Sequence, residues 1–210
     1  MKYLATDTSG DLIVILFDGE KYHTRYLKGC NTKHSLTLMP YIEECLIESG
    51  LELEDLDFYG VVTGPGSFTG IRIGISAIKA LAFATHKKVL ALTSFQVLAY
   101  TDNAPDKVCL LIDANHDNYY ASVFENKKCV IDPCFLHIDE IEKVSDNCCI
   151  ISENKSDELK NLALKRDFLA GDRVSGIINA INDNFNNLTD SEEVVPLYVK
   201  KSQAEEELCI

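Results

Sequence analysis

Two aspartates are the residues of this sequence best placed to do chemistry with a phosphate. Asp7 and Asp113 each end an apolar run and precede a polar turn, Thr8-Ser9-Gly10 in the first case and Ala114-Asn115-His116 in the second. Carboxylates in such a position can hold a hydrated magnesium ion. Aspartate side chains also close Asx turns, and that alternative is favoured for both residues. The pair is therefore a candidate residual phosphate site with a structural alternative.

A glycine-rich segment is the second candidate for phosphate chemistry. Residues 63–74 read TGPGSFTGIRIG, which predicts a tight corner that opens a helix capped by Ser67 or Thr69. A glycine-rich corner can present free backbone N–H groups to phosphate. However, the glycine spacing does not fit GxGxxG, and no lysine follows in the Walker position. A tight turn is favoured over a phosphate cradle.

Metal and nucleophilic chemistry find no support in the sequence. The five histidines form neither HExxH nor HxxxH, and no GxSxG elbow is present. His34 is interpreted as a partly buried residue in the first turn of a helix. The eight cysteines include no CxxC pair, so they are predicted to be reduced and mostly buried thiols. No metal site and no catalytic residue are predicted.

The composition of the chain argues against direct nucleic-acid binding and against a membrane span. The chain has 210 residues, a formal net charge of −13 and a sequence pI near 4.7. Such an acidic chain is poorly suited to direct contact with nucleic acid, because phosphate recognition needs a basic surface. Arg72 and Lys79 interrupt the most apolar segment, which disfavours a membrane span. With no export signal at its start, the chain is predicted to be cytoplasmic.

Alternating strands and helices must position these residues in the first half of the chain. The periodicity predicts a mixed sheet flanked by helices. Pro40 predicts a bend or a later start in the first helix. The predicted strands are Lys2–Asp7, Leu12–Phe17, Tyr22–Tyr26, Leu56–Thr63 and Val89–Thr93, and the predicted helices are His34–Ser49, Thr69–Thr85 and a short one from Ser94.

The second half of the chain begins like the first. After a polar linker at residues 103–107, the segment 109–128 resembles 3–21, with Asp113 falling on Asp7. This predicts a duplicated unit of strand, aspartate and hairpin. Further elements are predicted at Cys148–Ser152 (strand), Ser156–Arg166 (helix) and Ser175–Phe185 (helix, with Ser175 as its cap and Ile177, Ile178, Ile181 and Phe185 inward).

The segment 63–74 resembles the characteristic motif of the bacterial TsaB (YeaZ) family. His34, Ser35 and Pro40 are similar to its HS-x4-P pattern, and residues 194–201, VVPLYVKK, are similar to its closing segment. The resemblance is strongest over residues 1–120 and 194–201. It implies an α/β, two-lobed actin-like ATPase (ribonuclease H-like) fold with mixed sheets and a reduced second lobe. The predicted domains are 1–104, 105–193 and a C-terminal segment, 194–210.

The resemblance also implies a function. TsaB-like proteins are non-catalytic subunits that bind and activate TsaD, which forms N6-threonylcarbamoyladenosine at position 37 of ANN-decoding tRNAs, with TsaE as a further partner. The resemblance implies contact with tRNA only through the complex, and no cofactor or membrane. The resemblance leaves open whether a nucleotide binds at the interface with TsaD. It implies that TsaD carries its own metal. Two alternatives are an actin-like small-molecule kinase and a glycoprotease-like metallohydrolase.

A partner interface is predicted on the two long helices of the first half. Packed side by side, they are expected to present one apolar face to TsaD, or to a second copy of the chain when TsaD is absent. The predicted interface residues are Leu38, Met39, Ile42, Cys45, Leu46, Ile71, Ile75 and Ile78. The family-motif loop comprises Gly64, Pro65, Gly66, Ser67, Phe68, Thr69, Gly70 and Arg72.

Overall fold

Two units make up the described part of this chain. The computed structural model describes residues 1–29, 33–153, 159 and 167–200. Unit 1 contains Met1–Ser94 and Ile177–Pro196, and unit 2 contains Phe95–Gly176 and the segment that starts at Leu197. The first unit thus ends ten residues before the predicted boundary at 104. It also includes residues 177–184 of a C-terminal helix that the sequence assigned to the second domain.

Unit 1 is built on a five-stranded mixed sheet with the order β3-β2-β1-β4-β5. The first three strands form an antiparallel meander, while β4 runs parallel to β1 and β5 parallel to β4. These pairings confirm the predicted mixed sheet. The strands are β1 (Tyr3–Asp7), β2 (Leu12–Phe17), β3 (Tyr22–Leu27), β4 (Phe58–Val62) and β5 (Lys88–Leu92).

Two long helices cover one face of this sheet. Helix α1 spans His34–Ser49 and α2 spans Phe68–Thr85. Pro40 lies inside α1, so the predicted later start of that helix is wrong. Gly50 ends α1 in the left-handed conformation, with φ of 66°. The shared core joins apolar residues of both helices to the inner face of the strands, among them Leu4, Leu12, Val14, Leu38, Ile42, Ile71, Ile75 and Ile78.

Helix α2 is long and apolar enough, by length and composition, to cross a membrane. Within unit 1 it packs on β1, β4 and β5. Its buried residues form one stripe, made of Gly70, Ile71, Gly74, Ile75, Ile78 and Ala82. One stripe against a sheet is the packing of a core helix in an α/β protein. The residues of α2 that lie away from this stripe are half-buried or exposed.

The other face of the first sheet receives the C-terminal helix. Two short helices precede it, α3 (Ser94–Ala99) and α4 (Ile141–Val144), and the C-terminal helix itself is α5 (Arg173–Asn184). Helix α5 begins two residues earlier than predicted, and the carboxylate of Asp172 accepts from the N–H of Val174, at 3.0 Å. Ser175 is therefore not its cap. Ile177 and Ile181 are buried as predicted, whereas Phe185 lies beyond the helix and is exposed.

Unit 2 repeats the strand topology of unit 1. Its sheet has the order β8-β7-β6-β9-β10, with β6 antiparallel to β7 and parallel to β9. Asp113 ends β6 as Asp7 ends β1, which confirms the predicted duplication. Between β8 and β9 stand only a short 3-10 turn and α4, so the second lobe is reduced. The strands are β6 (Lys107–Asp113), β7 (Asn118–Glu125), β8 (Lys128–His137), β9 (Cys149–Ser152) and β10 (Phe168–Ala170). The predicted helix Ser156–Arg166 lies outside the described residues, apart from Leu159.

Candidate functional site: the glycine-rich loop and the outer helix surface

The glycine-rich loop joins β4 to α2 through a cis peptide bond between Gly64 and Pro65. The carbonyl of Gly64 accepts a hydrogen bond from the N–H of Ser94, at 2.7 Å. Ser67 caps α2, because its hydroxyl oxygen accepts from the N–H of Gly70, at 3.2 Å. Thr69 lies exposed in the first turn, so of the two predicted caps only Ser67 acts as one.

Three glycines at four-residue intervals let the turn after β1 pack directly against the start of α2. A Cβ on Gly66 would lie 2.2 Å from the carbonyl oxygen of Ser9, and one on Gly70 would lie 2.0 Å from that of Thr8. A Cβ on Gly74 would lie 2.3 Å from Oγ1 of Thr8. The Thr8 hydroxyl donates to the carbonyl oxygen of Gly70, at 2.7 Å. Close packing thus explains the glycines without a phosphate ligand.

The turn after β1 is filled by the chain itself. Asp7, Thr8 and Ser9 are all buried. Oδ1 of Asp7 accepts from the N–H and the hydroxyl of Ser9, at 2.8 and 2.7 Å, which is an Asx turn. A phosphate or hydrated ion cannot approach a carboxylate packed in this way. The assignment of Asp7 to a residual phosphate site is therefore corrected.

Asp113 also closes an Asx turn, but in an exposed position. Its Oδ1 accepts from the N–H of Asn115, at 2.7 Å. The turn contains three residues with positive φ, Asn115, His116 and Asp117, where glycine would cost less. Asp7 and Asp113 belong to different units. The structural alternative favoured from the sequence thus accounts for both aspartates.

Most of the predicted interface residues lie in the core of unit 1. Leu38, Ile42 and Cys45 of α1 face the sheet, as do Ile71, Ile75 and Ile78 of α2, and all six are buried. They cannot contact a partner, and this part of the prediction is corrected. Of the eight residues, only Met39 is exposed and Leu46 half-buried. A helix with apolar residues on several sides does not reveal which stripe faces the sheet.

The exposed apolar side chains of the two helices lie outside their buried stripes. On α1 they are Leu36, Met39 and Ile47, with Leu36 and Ile47 exposed by 76% and 73%. On α2 they are Phe68 at the start and Phe83 near the end, the latter exposed by 69%. We call these five residues the outer helix surface. In the sequence, Leu36, Met39 and Ile47 fall outside the helical repeat of Leu38, Ile42 and Cys45. This spacing could have identified the three exposed residues of α1.

Charged groups border the outer helix surface. Nε of Arg25 on β3 donates to Oε2 of Glu44, at 2.7 Å, and its terminal nitrogen pairs with Glu48. The hydrogen bond from Arg25 lowers the pKa of the Glu48 carboxyl below its ordinary value. On α2 the guanidinium of Arg72 lies over the ring of Phe68, 3.7 Å from its centre. The two ion pairs of Arg25 connect the acidic helix α1 to β3, the edge strand of the sheet.

His34 and Cys45, two side chains of types that could do chemistry, are buried. His34 is buried, and its Nε2 lies 2.9 Å from the carbonyl oxygen of Gly10, which matches the favoured interpretation. Burial raises the pKa of the Cys45 thiol to about 11. Over residues 1–29, 33–153, 159 and 167–200, no group of three His, Cys, Asp or Glu side chains could hold a metal ion. The free cysteines of those ranges are Cys45, Cys109 and Cys148 (buried), Cys134 and Cys149 (half-buried) and Cys129 (exposed).

Comparisons with known proteins decide the family. The family model of TsaD, tRNA N6-adenosine threonylcarbamoyltransferase, matches residues 19–206. The chain is 34% identical over 130 residues to TsaB of Haemophilus influenzae, a tRNA threonylcarbamoyladenosine biosynthesis protein, with 60% of this chain and 54% of the relative aligned. The chain belongs to the TsaB (YeaZ) family. The resemblance found in the glycine-rich segment is thereby confirmed.

The solved structure of YeaZ from Pseudomonas aeruginosa shares the fold of this TsaB-family chain. The two superpose with a TM-score of 0.76 at 22% identity, over 94% of this chain and 99% of the other. The predicted two-lobed actin-like fold is confirmed. A threonylcarbamoyltransferase of Clostridium botulinum is 31% identical over 103 residues, or 46% of this chain and 30% of the transferase. The chain spans about half the length of the curated TsaB relatives it matches.

Proposed function

We propose that this chain is a non-catalytic subunit in the formation of threonylcarbamoyladenosine on tRNA, and that it binds and activates a TsaD-type transferase through the outer helix surface. Membership of the TsaB family supports the pathway. The observation that carries the binding role is the exposure of Leu36, Met39, Ile47, Phe68 and Phe83 on two adjacent helices. Large exposed apolar side chains on neighbouring helices favour an interaction surface.

The geometry of the turn after β1 supports a non-catalytic role. In the actin-like fold the first hairpin turn is where a phosphate would be held. Here Thr8 and Ser9 pack against Gly66 and Gly70, and Asp7 is buried behind them. The turn after β1 therefore packs against the chain's own α2. Activation would then act through contacts with the transferase, not through a reaction at this turn.

Charge supports an indirect relation to tRNA. With a net charge of −13, the chain would be repelled by the tRNA backbone. The transferase would hold the tRNA, its own metal and any nucleotide at the shared interface. We further propose that the outer helix surface pairs two copies of the chain when the transferase is absent, that a TsaE-type protein joins the complex, and that the complex works in the cytoplasm.

The test combines assembly with activity. The chain is analysed by size-exclusion chromatography with light scattering, alone and mixed with the transferase of the same organism, and transfer to an ANN-decoding tRNA is then measured. Ile47→Glu and Phe83→Glu place a charge on the outer helix surface. Val130→Glu is the matched control, since Val130 is exposed by 52% on β8 of unit 2.

The expected result is a heteromeric complex that forms with the chain and with Val130→Glu but not with the two surface variants. Transfer activity should require the chain and should fall in parallel with complex formation. The proposal fails if the chain does not bind the transferase. It also fails if Ile47→Glu and Phe83→Glu bind and activate as well as the control.

A further inference from the structure

We propose that Glu43 of α1 forms an ion pair with a lysine or arginine of the transferase, and that this pair determines which partner the outer helix surface accepts. The inference rests on the proposed function above and adds the chemistry of the partner surface. Two observations support the inference. The first is that the Glu43 carboxylate lies among exposed apolar side chains. The second is the contrast between Glu43 and the two other glutamates of α1, Glu44 and Glu48.

Glu43 lies in the middle of the exposed line of α1. Met39, Glu43 and Ile47 follow one another at four-residue intervals, so they stand above one another on the same helix face. All three are exposed. This line is opposite to the Leu38, Ile42 and Cys45 stripe that faces the sheet. A partner that covers Met39 and Ile47 must also cover Glu43.

The two other glutamates of α1 are already paired within the chain. Glu44 and Glu48 lie on the flank of the helix nearer to β3, and Arg25 binds both. Over the described residues, no ion pair or hydrogen bond of the Glu43 side chain is observed. The helix itself contains no lysine or arginine. Glu43 is therefore the carboxylate of α1 that has no counter-charge among the described residues.

Burial of Glu43 in the complex would constrain the chemistry of the partner surface. A carboxylate removed from water without a counter-charge or hydrogen bonds is strongly disfavoured. A complex that buries the apolar line is therefore expected to place a cation opposite Glu43, because a charged donor is the strongest hydrogen-bond partner of a carboxylate. A partner with an acidic or purely apolar surface at that point would be rejected, which is how charged groups commonly set specificity.

The experiment measures the affinity for the transferase at several salt concentrations. The variants are Glu43→Gln, which keeps the shape, and Glu43→Lys, which inverts the charge. Glu20→Lys is the matched control, because Glu20 is an exposed glutamate in the turn between β2 and β3. Ile47→Glu tests the surface itself. Circular dichroism confirms that each variant is folded.

We expect Glu43→Gln to weaken binding about tenfold or more and Glu43→Lys by a larger factor, with Glu20→Lys close to the unmodified chain. The affinity of the unmodified chain should fall with added salt more steeply than that of Glu43→Gln. In a scan of the transferase, one Lys→Glu or Arg→Glu variant should restore binding to Glu43→Lys.

The outcomes separate this inference from the proposed function. If Ile47→Glu blocks binding but both Glu43 variants bind within about threefold of the unmodified chain, the surface is correct and the ion pair is overturned. If Glu43→Lys changes only the self-association of the chain, the cation belongs to a second copy and the inference is again overturned. If Ile47→Glu also binds normally, the proposed function itself has failed.

Discussion

A Cβ atom on Gly70 would lie 2.0 Å from the carbonyl oxygen of Thr8, closer than any real carbon can approach a backbone oxygen. Gly70→Ala must therefore push the turn after β1 away from α2. We expect it to lower the free energy of unfolding by about 2 kcal/mol or more. Urea unfolding measures this loss. Gly10→Ala is the control, since a Cβ there meets no atom within 4 Å; equal effects of the two substitutions would contradict the close packing.

The contact between Gly74 and Thr8 predicts that one substitution restores part of the stability that another removes. A Cβ on Gly74 would meet Oγ1 of Thr8 at 2.3 Å, whereas its next contacts, at 3.4 and 3.5 Å, are ordinary. Thr8→Ala removes the oxygen, so it should recover part of the stability lost in Gly74→Ala. The clash at Gly70 is with backbone, and Thr8→Ala should not relieve it. A double-mutant cycle by urea unfolding tests both pairs, and equal coupling energies would refute the arrangement.

The cap of α2 predicts different costs for two neighbouring hydroxyls. Ser67→Ala removes the acceptor of the Gly70 N–H and should cost about 1 kcal/mol. Thr69→Ala changes an exposed residue in the first turn and should alter stability by less than about 0.5 kcal/mol. Thermal or urea unfolding of the two variants side by side decides this. A larger loss for Thr69→Ala would place the start of the helix elsewhere.

The ion pair between Arg25 and Glu48 predicts a dependence on pH. The pKa of Glu48 lies below its ordinary value of 4.5 because Arg25 donates to the carboxylate. Its contribution to stability is thus present above the unfolded pKa and disappears as the pH falls through the folded pKa. Arg25→Met should be less stable than the unmodified chain at about pH 7, and the difference should shrink on acidification towards about pH 3.

Urea unfolding over that pH range provides the measurement. Lys128→Met is the control, because it removes an exposed cation from β8 in unit 2. Its difference from the unmodified chain should not follow the titration of Glu48. A difference for Arg25→Met that stays constant down to about pH 3 would show that Arg25 acts through packing, not through the carboxylate.

The strands, helices and turns of unit 1 were predictable because their signals are local. Leu12–Phe17 and His34–Ser49 have the predicted bounds. The duplication was also readable, since Asp113 repeats the place of Asp7 at the end of a strand. Alternation, helical periodicity and turn residues act over a few positions and need no knowledge of the rest of the chain.

Which side of a helix becomes surface was decided only by the tertiary structure. Ile71 and Phe83 are both apolar residues of α2, yet one is buried against the sheet and the other is exposed. The glycines at 66, 70 and 74 suggested a turn, and their reason is the approach of Thr8 and Ser9. Thr8 and Gly70 are separated by 62 positions, so no local pattern could reveal their contact. The sequence by itself determined the elements, and packing between distant segments decided which residues were left for a partner.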